Sequence, residues 1–240
     1  MDFATLLHWI YVVVMAGGAA LFYVWYRDPR GVPRGEYLVA MLIPIWSGLA
    51  YTAMALGLGQ TEIAGQTTYW ARYADWIVST PLLVTALWMT ASLEHKEKPW
   101  LLLGALVAAD VIMILCGLVG DLSTGGARFI FFGIGVAALV ALFGLVWGPL
   151  RREAHAHNDA LGSIFDKSAA YLAVFWIGYP LTWILGPSGV GLLSQPVDTA
   201  LFVLLPIFSK VGFSVFDLGM LRRYQSGRET YPAAAARALD

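Results

Sequence analysis

Apolar residues along this chain gather into seven long stretches, separated by short polar segments rich in glycine and proline. Each stretch is long enough to cross about 30 Å of hydrocarbon as an α-helix rising 1.5 Å per residue. The pattern predicts spans at Ala4–Tyr26, Tyr37–Leu56, Tyr69–Ser92, Trp100–Val119, Phe129–Leu150, Ser168–Leu185 and Asp198–Leu221. The short alternating strands of a β-barrel are not seen. The sequence therefore predicts an all-α membrane protein, a bundle of seven transmembrane helices.

The composition agrees with a chain embedded in lipid. Of the 240 residues, 59% are hydrophobic and 13% are charged, and the mean hydropathy is +0.68. This share of charged residues is about half that of a typical soluble domain. It is too small to keep the surface of a soluble protein hydrated. The net charge of −1 excludes nucleic-acid binding by broad basic attraction. The lone cysteine, Cys116, excludes an internal disulfide framework, and no metal site is predicted. We expect a multi-pass plasma-membrane protein.

Basic residues orient the predicted bundle. The N-terminus and the second, fourth and sixth loops contain one Lys or Arg, Arg128, whereas the other loops and the C-terminal tail contain twelve. Because Lys and Arg concentrate in cytoplasmic loops, this bias predicts an N-terminus outside and a C-terminus in the cytoplasm. We divide the chain into a seven-helix domain, residues 1–222, and a short cytoplasmic tail, residues 223–240.

Ionisable side chains also occur inside the predicted spans, where charges are costly and usually functional. They are Arg72, Asp75, Asp110, Lys210 and Asp217. Asp75 lies about 9 Å below the outer surface and Lys210 about 18 Å down span seven, near the bilayer middle. Asp217 follows two helical turns later on nearly the same face. The order from outside to inside is carboxylate, amine, carboxylate, which suits a proton path with a base on either side of a titratable nitrogen.

A lysine in the middle of a span has three interpretations. It could form a structural ion pair, line a transporter cavity, or bind a carbonyl cofactor covalently as a Schiff base, because a desolvated amine condenses with carbonyls. A protonated Schiff base needs a nearby anion, and Asp75 is the obvious candidate. Aromatic side chains nearby suit a long, flat, apolar ligand, although without the lysine simple packing explains them about as well: Trp76, Trp176, Tyr179 and Trp183.

These residues occur in runs that resemble a known family. ARYADWIVSTPLL, WIGYPLTWILGPSG and DTALFVLLPIFSKVGF resemble microbial (type 1) rhodopsins, and the resemblance covers nearly the whole chain. LLHWIYV, RGVPRGEYLVAMLIPIWSGLAY and LLPIFSKVGFS are closer still to the xenorhodopsin subgroup and to Anabaena sensory rhodopsin. The resemblance implies all-trans or 13-cis retinal on Lys210 as a protonated Schiff base, with Asp75 as counterion and Arg72 organising water on the outer side. It also implies a retinal-binding set of Lys210, Trp76, Thr80, Leu83, Met113, Trp176, Tyr179, Pro180, Trp183, Pro206 and Ser209.

The same resemblance implies a direction of transport. Outward-pumping relatives usually carry a second aspartate one turn before the lysine, where this chain has Pro206. They also carry a carboxylic acid on the cytoplasmic half of span three, where this chain has Ala86. In xenorhodopsins the residue at the position of Asp217 is associated with accepting the proton on the inner side. The resemblance thus implies a retinal-binding photoreceptor, not an enzyme, that acts as a light-driven inward proton pump.

Three further side chains are candidates for the proton path: Asp198, Glu36 and Ser79. Asp198 would serve equally as the N-cap of span seven. Glu36 could connect with Asp217 through water, but the favoured interpretation is a solvated interfacial charge. Asp110 could belong to the proton path, but the favoured interpretation is a buried carboxyl that is hydrogen-bonded near Thr80.

The alternative function is a photosensory rhodopsin without significant transport that signals through a partner, as the resemblance to Anabaena sensory rhodopsin suggests. Ala86 and the run DLGML depart from that protein, and so does the tail after Arg223. These departures weaken the sensory interpretation without proving transport. The resemblance also implies a homotrimer, and a soluble transducer if the protein is sensory.

Overall fold

The computed structural model describes residues 2–63, 65–156 and 158–237, with side chains as far as Arg228. Its described part contains seven helices long and apolar enough to cross a membrane. Four of them are α1 (Phe3–Arg27), α2 (Arg34–Ala55), α3 (Trp70–Ala91) and α4 (Trp100–Asp121). The others are α5 (Gly126–Leu145, Val146–Leu150 and Arg151–His155), α6 (Asp159–Leu185) and α7 (Gln195–Pro206, Ile207–Gly212 and Phe213–Arg237). The predicted seven-helix membrane bundle is confirmed.

The start of α6 differs from the prediction. The helix begins at Asp159, nine residues before the predicted start at Ser168. The Asn158 side chain caps it by accepting hydrogen bonds from the backbone N–H groups of Ala160 and Leu161. The added turns are too polar for an apolar window, but Leu161 and Phe165 on them are buried. Hydropathy therefore marks the membrane-embedded part of this helix and misses its extension.

Two other segments were not predicted by the hydropathy pattern. The loop between α2 and α3 contains a hairpin of β1 (Thr61–Ile63) and β2 (Gln66–Thr68), paired antiparallel with Thr61 opposite Thr68. α7 continues to Arg237, past its predicted end at Leu221, and residues 238–240 lie outside the described part. The hairpin was not predicted because β1 and β2, with three residues each, are too short to show the alternation of apolar and polar residues that marks a strand.

A π-helical turn interrupts α7 at the lysine that the sequence singled out. Ile207–Gly212 is π-helical, contains Lys210 and directly follows Pro206. Proline has no backbone N–H to donate to the carbonyl four residues earlier, that of Phe202. The Tyr51 hydroxyl donates to that carbonyl instead, at 2.5 Å. α5 contains a second π-helical turn, Val146–Leu150.

Large side chains fill the interior of the bundle and also cover its outside. The main buried apolar cluster joins α2 to α7 through residues such as Ile43, Leu87, Leu106, Leu142 and Phe213. Many Leu, Ile and Val side chains face outward, as a surface in contact with lipid tails requires. Because lipid is as apolar as leucine, close packing rather than a hydrophobic driving force holds such helices together.

The seven helices alternate in direction and define two ends of the bundle. The end with the N-terminus also contains the β1–β2 hairpin and the α4–α5 and α6–α7 loops, and we call it the N-terminal side. The opposite end contains the α1–α2, α3–α4 and α5–α6 loops and the end of α7, and we call it the C-terminal side.

Packing of α1 on α7 depends on a glycine. A Cβ atom at Gly18 would lie 2.6 Å from Cγ2 of Val211, whereas one at the neighbouring Gly17 would meet nothing within 4 Å. We expect Gly18→Leu to lower the free energy of unfolding by about 1–3 kcal/mol, because the added side chain forces α1 away from the π-helical turn. Gly17→Leu is the matched control and should leave the thermal unfolding midpoint unchanged or slightly raised. Equal midpoints for the two variants would contradict the close approach.

Candidate functional site

A buried ion pair between α3 and α7 forms the centre of the site. Lys210 and Asp75 are both fully buried, and Lys210 Nζ donates a hydrogen bond to Asp75 Oδ2. α2 supplies a third member, since Ser47 Oγ lies 2.8 Å from Lys210 Nζ and 2.8 Å from Asp75 Oδ2. The fold thus brings together the amine and the carboxylate that the sequence singled out, and it adds a hydroxyl that sequence reasoning missed.

The hydroxyl of Ser47 is fully used. It has one hydrogen to donate and two lone pairs to accept with. Its hydrogen points to Asp75 and one lone pair accepts from Lys210, so the Tyr11 hydroxyl, 2.5 Å away, donates to the other. Tyr11 in turn stacks on Tyr51 with ring centroids 3.7 Å apart. The sequence signal that could have identified Tyr11 and Ser47 is that both are polar residues within the apolar runs of α1 and α2.

A second buried ion pair lies on the N-terminal side of the first. Arg72 Nη1 donates to Asp198 Oδ2 at 3.3 Å, and the guanidinium lies 4.6 Å from the ring centres of both Tyr69 and Phe202. The N-cap interpretation of Asp198 is wrong. Ser194 is the residue before the helix, and Asp198 lies within its first turn, where the side chain pairs with Arg72.

An apolar cavity lies beside the ion pair, between α3, α4, α5 and α6. It contains about 690 Å³ of space between atoms, part of it open to the surface. Seven predicted ligand-binding residues line it: Trp76, Thr80, Met113, Trp176, Tyr179, Pro180 and Trp183. Sequence reasoning missed the rest of the lining: Tyr73, Ile114, Gly117, Phe132, Gly135, Val136, Leu139 and Phe202. Most of these are apolar residues of α4 and α5 with no polar neighbour to mark them.

Four other predicted ligand-binding residues, Lys210 among them, do not line this cavity. Leu83 is fully buried in the main apolar cluster, which also contains Trp176. Ser209 is reached from the cavity through Tyr179, whose hydroxyl is 2.9 Å from Ser209 Oγ. Pro206 is buried and immediately precedes the π-helical turn.

Asp110 links α4 to the cavity wall. Its Oδ2 accepts a hydrogen bond of 2.7 Å from Thr80 Oγ1, which also lies 2.8 Å from the Trp76 carbonyl. This contact agrees with the interpretation of Asp110 as a buried, hydrogen-bonded carboxyl. Ser79, the neighbour of Thr80, is fully buried, and its hydroxyl has no hydrogen-bond partner among the described residues.

A separate buried carboxyl lies on the C-terminal side of Lys210. Asp217 is 1% exposed, and its two oxygens accept hydrogen bonds from Ser168 Oγ at 2.6 Å and Thr90 Oγ1 at 2.9 Å. Glu36 is 2% exposed and lies close enough for its charge to act on that of Asp217. Glu36 is therefore not a solvated interfacial charge, since its side chain is inside the bundle.

Comparisons with known proteins agree with this architecture. The model of the bacteriorhodopsin-like protein family matches residues 2–223. The chain belongs to this family. It is 33% identical over 214 residues to Sensory rhodopsin-2 of Natronomonas pharaonis, which covers 89% of this chain and 87% of that protein.

Solved structures give the same result for this rhodopsin. The crystal structure of thermophilic rhodopsin from Rubrobacter xylanophilus superposes with a TM-score of 0.87 at 33% identity, covering 93% of this chain and 97% of that one. The light-driven proton pump rhodopsin of Coccomyxa subellipsoidea gives a TM-score of 0.83 at 27% identity, covering 91% and 96%. The protein is thus a multi-pass plasma-membrane protein of the microbial rhodopsin family, whose members include sensors and pumps.

Rhodopsins of this family bind retinal through a Schiff base, and the residues of this site fit such a ligand. Lys210 supplies a buried primary amine, and Asp75 supplies an anion beside it with one oxygen, Oδ1, still unpartnered among the described residues. The adjoining cavity is walled by aromatic rings, with glycines at positions 117 and 135 where α4 and α5 approach. An elongated apolar aldehyde suits both features.

Ser47 can be tested against Ser79, because both side chains are fully buried and only Ser47 is hydrogen-bonded. We expect Ser47→Ala to lower the unfolding free energy of the retinal-free protein by about 1.5–3 kcal/mol, because hydrogen bonds to charged groups are lost and the Tyr11 hydroxyl is left unpaired. Ser79→Ala should change it by less than about 0.5 kcal/mol. Thermal or detergent-induced unfolding measures both. Equal stabilities would show that the Ser47 hydroxyl does not support the ion pair.

Proposed function

We propose that this rhodopsin is a light-driven inward proton pump of the xenorhodopsin type, with retinal bound covalently to Lys210. Asp75 is the counterion, Arg72 organises the outer side, and Asp217 accepts the proton on the inner side. The N-terminal side faces out and the C-terminal side faces the cytoplasm. The excess of Lys and Arg in the loops of the C-terminal side supports this orientation.

Retinal, when bound, supplies light absorption and a change of shape about a double bond. The residues of the chain hold and transfer the proton. In the dark the proton on the Lys210 nitrogen is held toward Asp75 and Ser47. After illumination that nitrogen turns away from Asp75, and its proton leaves toward Asp217. The nitrogen then takes a proton from the outer side.

The observation that carries this proposal is the buried position of Asp217. It lies seven residues after Lys210 along α7, about two helical turns toward the C-terminal side. Thr90 and Ser168 donate to its two oxygens, so the carboxyl is held in a fixed position between α3, α6 and α7. Buried groups of this kind, fixed by neighbouring hydroxyls, are typical of proton-transfer sites within membranes.

The departures from outward pumps support the same direction. Ala86 on α3 is buried and has no acidic group to return a proton from the inner side. Pro206 stands where a second aspartate would otherwise accompany Asp75. Glu36 lies near Asp217, and Lys98 acts electrostatically on Glu36. This sequence of groups supports an exit from Asp217 to the C-terminal side.

The electrical gradient favours inward transport. In a membrane that is negative inside, one charge moving inward gains about 2.3 kcal/mol per 100 mV. Light therefore serves mainly to open the path and to enforce its direction. A homotrimer is the expected assembly, by resemblance to the family.

The direction can be tested with cells that express the protein with added retinal in unbuffered suspension. We expect illumination to make the medium more alkaline, and a protonophore to abolish this change. Lys210→Ala is the control without a chromophore, and it should show neither visible absorbance nor a pH response. Light-induced acidification would contradict inward pumping.

Asp217 can be tested by Asp217→Asn in the same assay. We expect the inward proton flux to fall at least tenfold while the visible absorption maximum stays nearly unchanged, because the substitution removes the acceptor but leaves Asp75 beside Lys210. Asp159→Asn, an exposed carboxylate on the same side, is the matched control and should pump normally. Undiminished flux in Asp217→Asn would exclude the acceptor role.

A photosensory function is the second candidate, and the similarity to Sensory rhodopsin-2 favours it. It predicts a coloured protein that completes its photocycle without a pH change in the suspension. A soluble or membrane-bound transducer would then be the partner to look for.

A further inference from the structure

Two aromatic residues of α1, His8 and Tyr11, have no part in the transport steps proposed above. They lie three residues apart, so they share one face of the helix, and both are buried. Because α1 begins at the N-terminal side, His8 lies nearer that end and Tyr11 about 4.5 Å deeper along the axis. The Tyr51 ring of α2 contacts both, stacking on Tyr11 with centroids 3.7 Å apart and meeting His8 edge to face at 5.6 Å.

The hydroxyl groups of Tyr11 and Ser47 form a chain in which each hydrogen points toward the ion pair. Tyr11 donates to Ser47 Oγ at 2.5 Å, and Ser47 donates to Asp75 Oδ2 at 2.8 Å. Ser47 Oγ also lies 2.8 Å from Lys210 Nζ, which donates to it while the nitrogen is protonated. A nitrogen that has lost its proton has a free lone pair instead, so it accepts the Ser47 hydrogen. The chain therefore leads from α1 to the reacting nitrogen.

His8 lies at the N-terminal end of this chain, and both of its ring nitrogens are unused. Nδ1 and Nε2 are buried, and neither has a hydrogen-bond partner among the described residues. Buried polar groups are normally hydrogen-bonded, to water where no side chain is available. A neutral imidazole accepts a hydrogen bond at one nitrogen and donates one from the other. It can therefore take up a proton at one nitrogen and release one from the other without a lasting change of charge.

The neighbours of His8 are less suited to carry a proton. Arg72 faces it from α3, and a guanidinium does not give up its proton in proteins. The Tyr51 hydroxyl donates to a backbone carbonyl of α7, so its hydrogen points away from the ion pair. Tyr69 packs its ring against the imidazole, with centroids 5.3 Å apart. Asp2, the exposed N-cap of α1, acts on His8 through its charge from the N-terminal end.

We propose that His8, Tyr11 and Ser47 form the path by which the Lys210 nitrogen regains its proton from the outer side. Ser47 gives its hydrogen to the nitrogen and takes the hydrogen of Tyr11. Tyr11 takes one that comes from His8 through water, and His8 takes one from external water. Each oxygen and the imidazole end with the hydrogens they began with, so one proton enters and Asp75 stays ionised. The inference rests on the proposed function, in which this proton comes from the outer side.

Flash spectroscopy of the retinal-loaded protein measures the rate at which the nitrogen regains its proton. We expect Tyr11→Phe, which removes one oxygen and keeps the ring, to slow this step at least tenfold with the absorption maximum nearly unchanged. Ser47→Ala should slow it as much, and Ser47→Thr should restore most of the rate because it returns the hydroxyl. Tyr23→Phe is the matched control, since Tyr23 is an exposed tyrosine of the same helix, and it should keep the wild-type rate. A wild-type rate in Tyr11→Phe would overturn the inference.

The part of His8 is tested by His8→Gln, which keeps a polar side chain but cannot exchange protons near neutral pH. We expect this variant to slow the same step at least fivefold. A wild-type rate in His8→Gln together with a slow Tyr11→Phe would show that the proton enters elsewhere, and it would overturn the role of His8.

The pH change of illuminated cells separates this inference from the proposed function. A suspension that does not become alkaline, with slow proton return in purified Tyr11→Phe, would refute the inward pump and support the path through α1. Alkalinisation by wild type, with wild-type rates in Tyr11→Phe and Ser47→Ala, would refute the path alone.

Discussion

The burial of Lys210 with Asp75 is the constraint on which the rest of the structure depends. Removing two charges from water costs several kcal/mol for each ion, and their attraction offsets this only when further hydrogen bonds satisfy both groups. Ser47 supplies one hydrogen bond to each group, and Tyr11 fixes Ser47 from α1. Four helices therefore have to meet at one point for a single ion pair to be tolerated. The same arrangement keeps the amine desolvated, which is the state in which lysine reacts with carbonyls.

The two sides of this ion pair are built differently. On the N-terminal side, Arg72 pairs with Asp198, and the Nε and Nη2 groups of Arg72 are buried without a hydrogen-bond partner among the described residues. On the C-terminal side, Asp217 is held by two hydroxyl groups and has no cation paired with it among the described residues. A proton on the central nitrogen thus meets an ion pair on one side and, on the other, a carboxyl that has no cation paired with it among the described residues. The direction of transfer that we propose rests on this asymmetry.

The hydrophobic pattern alone predicted most of the fold. Seven apolar runs specified seven helices, because in lipid each span must satisfy its backbone hydrogen bonds internally. The pattern failed where polar residues continue a helix, as at Asp159, and at the three-residue strands of the hairpin. The pattern also did not predict the π-helical turn around Lys210. Pro206 indicates that the backbone hydrogen bonds of the helix are interrupted, but it does not indicate which backbone conformation follows.

The residues of the site also divide into those that the sequence predicted and those that only the structure identified. A lysine and aspartates inside apolar runs stand out in the sequence because lipid tolerates charges only where they are needed, and so the amino-acid order alone singles out Lys210, Asp75 and Asp217. Their partners from other helices do not stand out in this way. Ser47 and Tyr11 are uncharged, and their importance comes from contacts between separate helices. The sequence by itself determined which charges enter the membrane, whereas only the tertiary structure decided which groups satisfy them, because hydrogen bonds and ion pairs depend on distances of a few ångströms between separate helices.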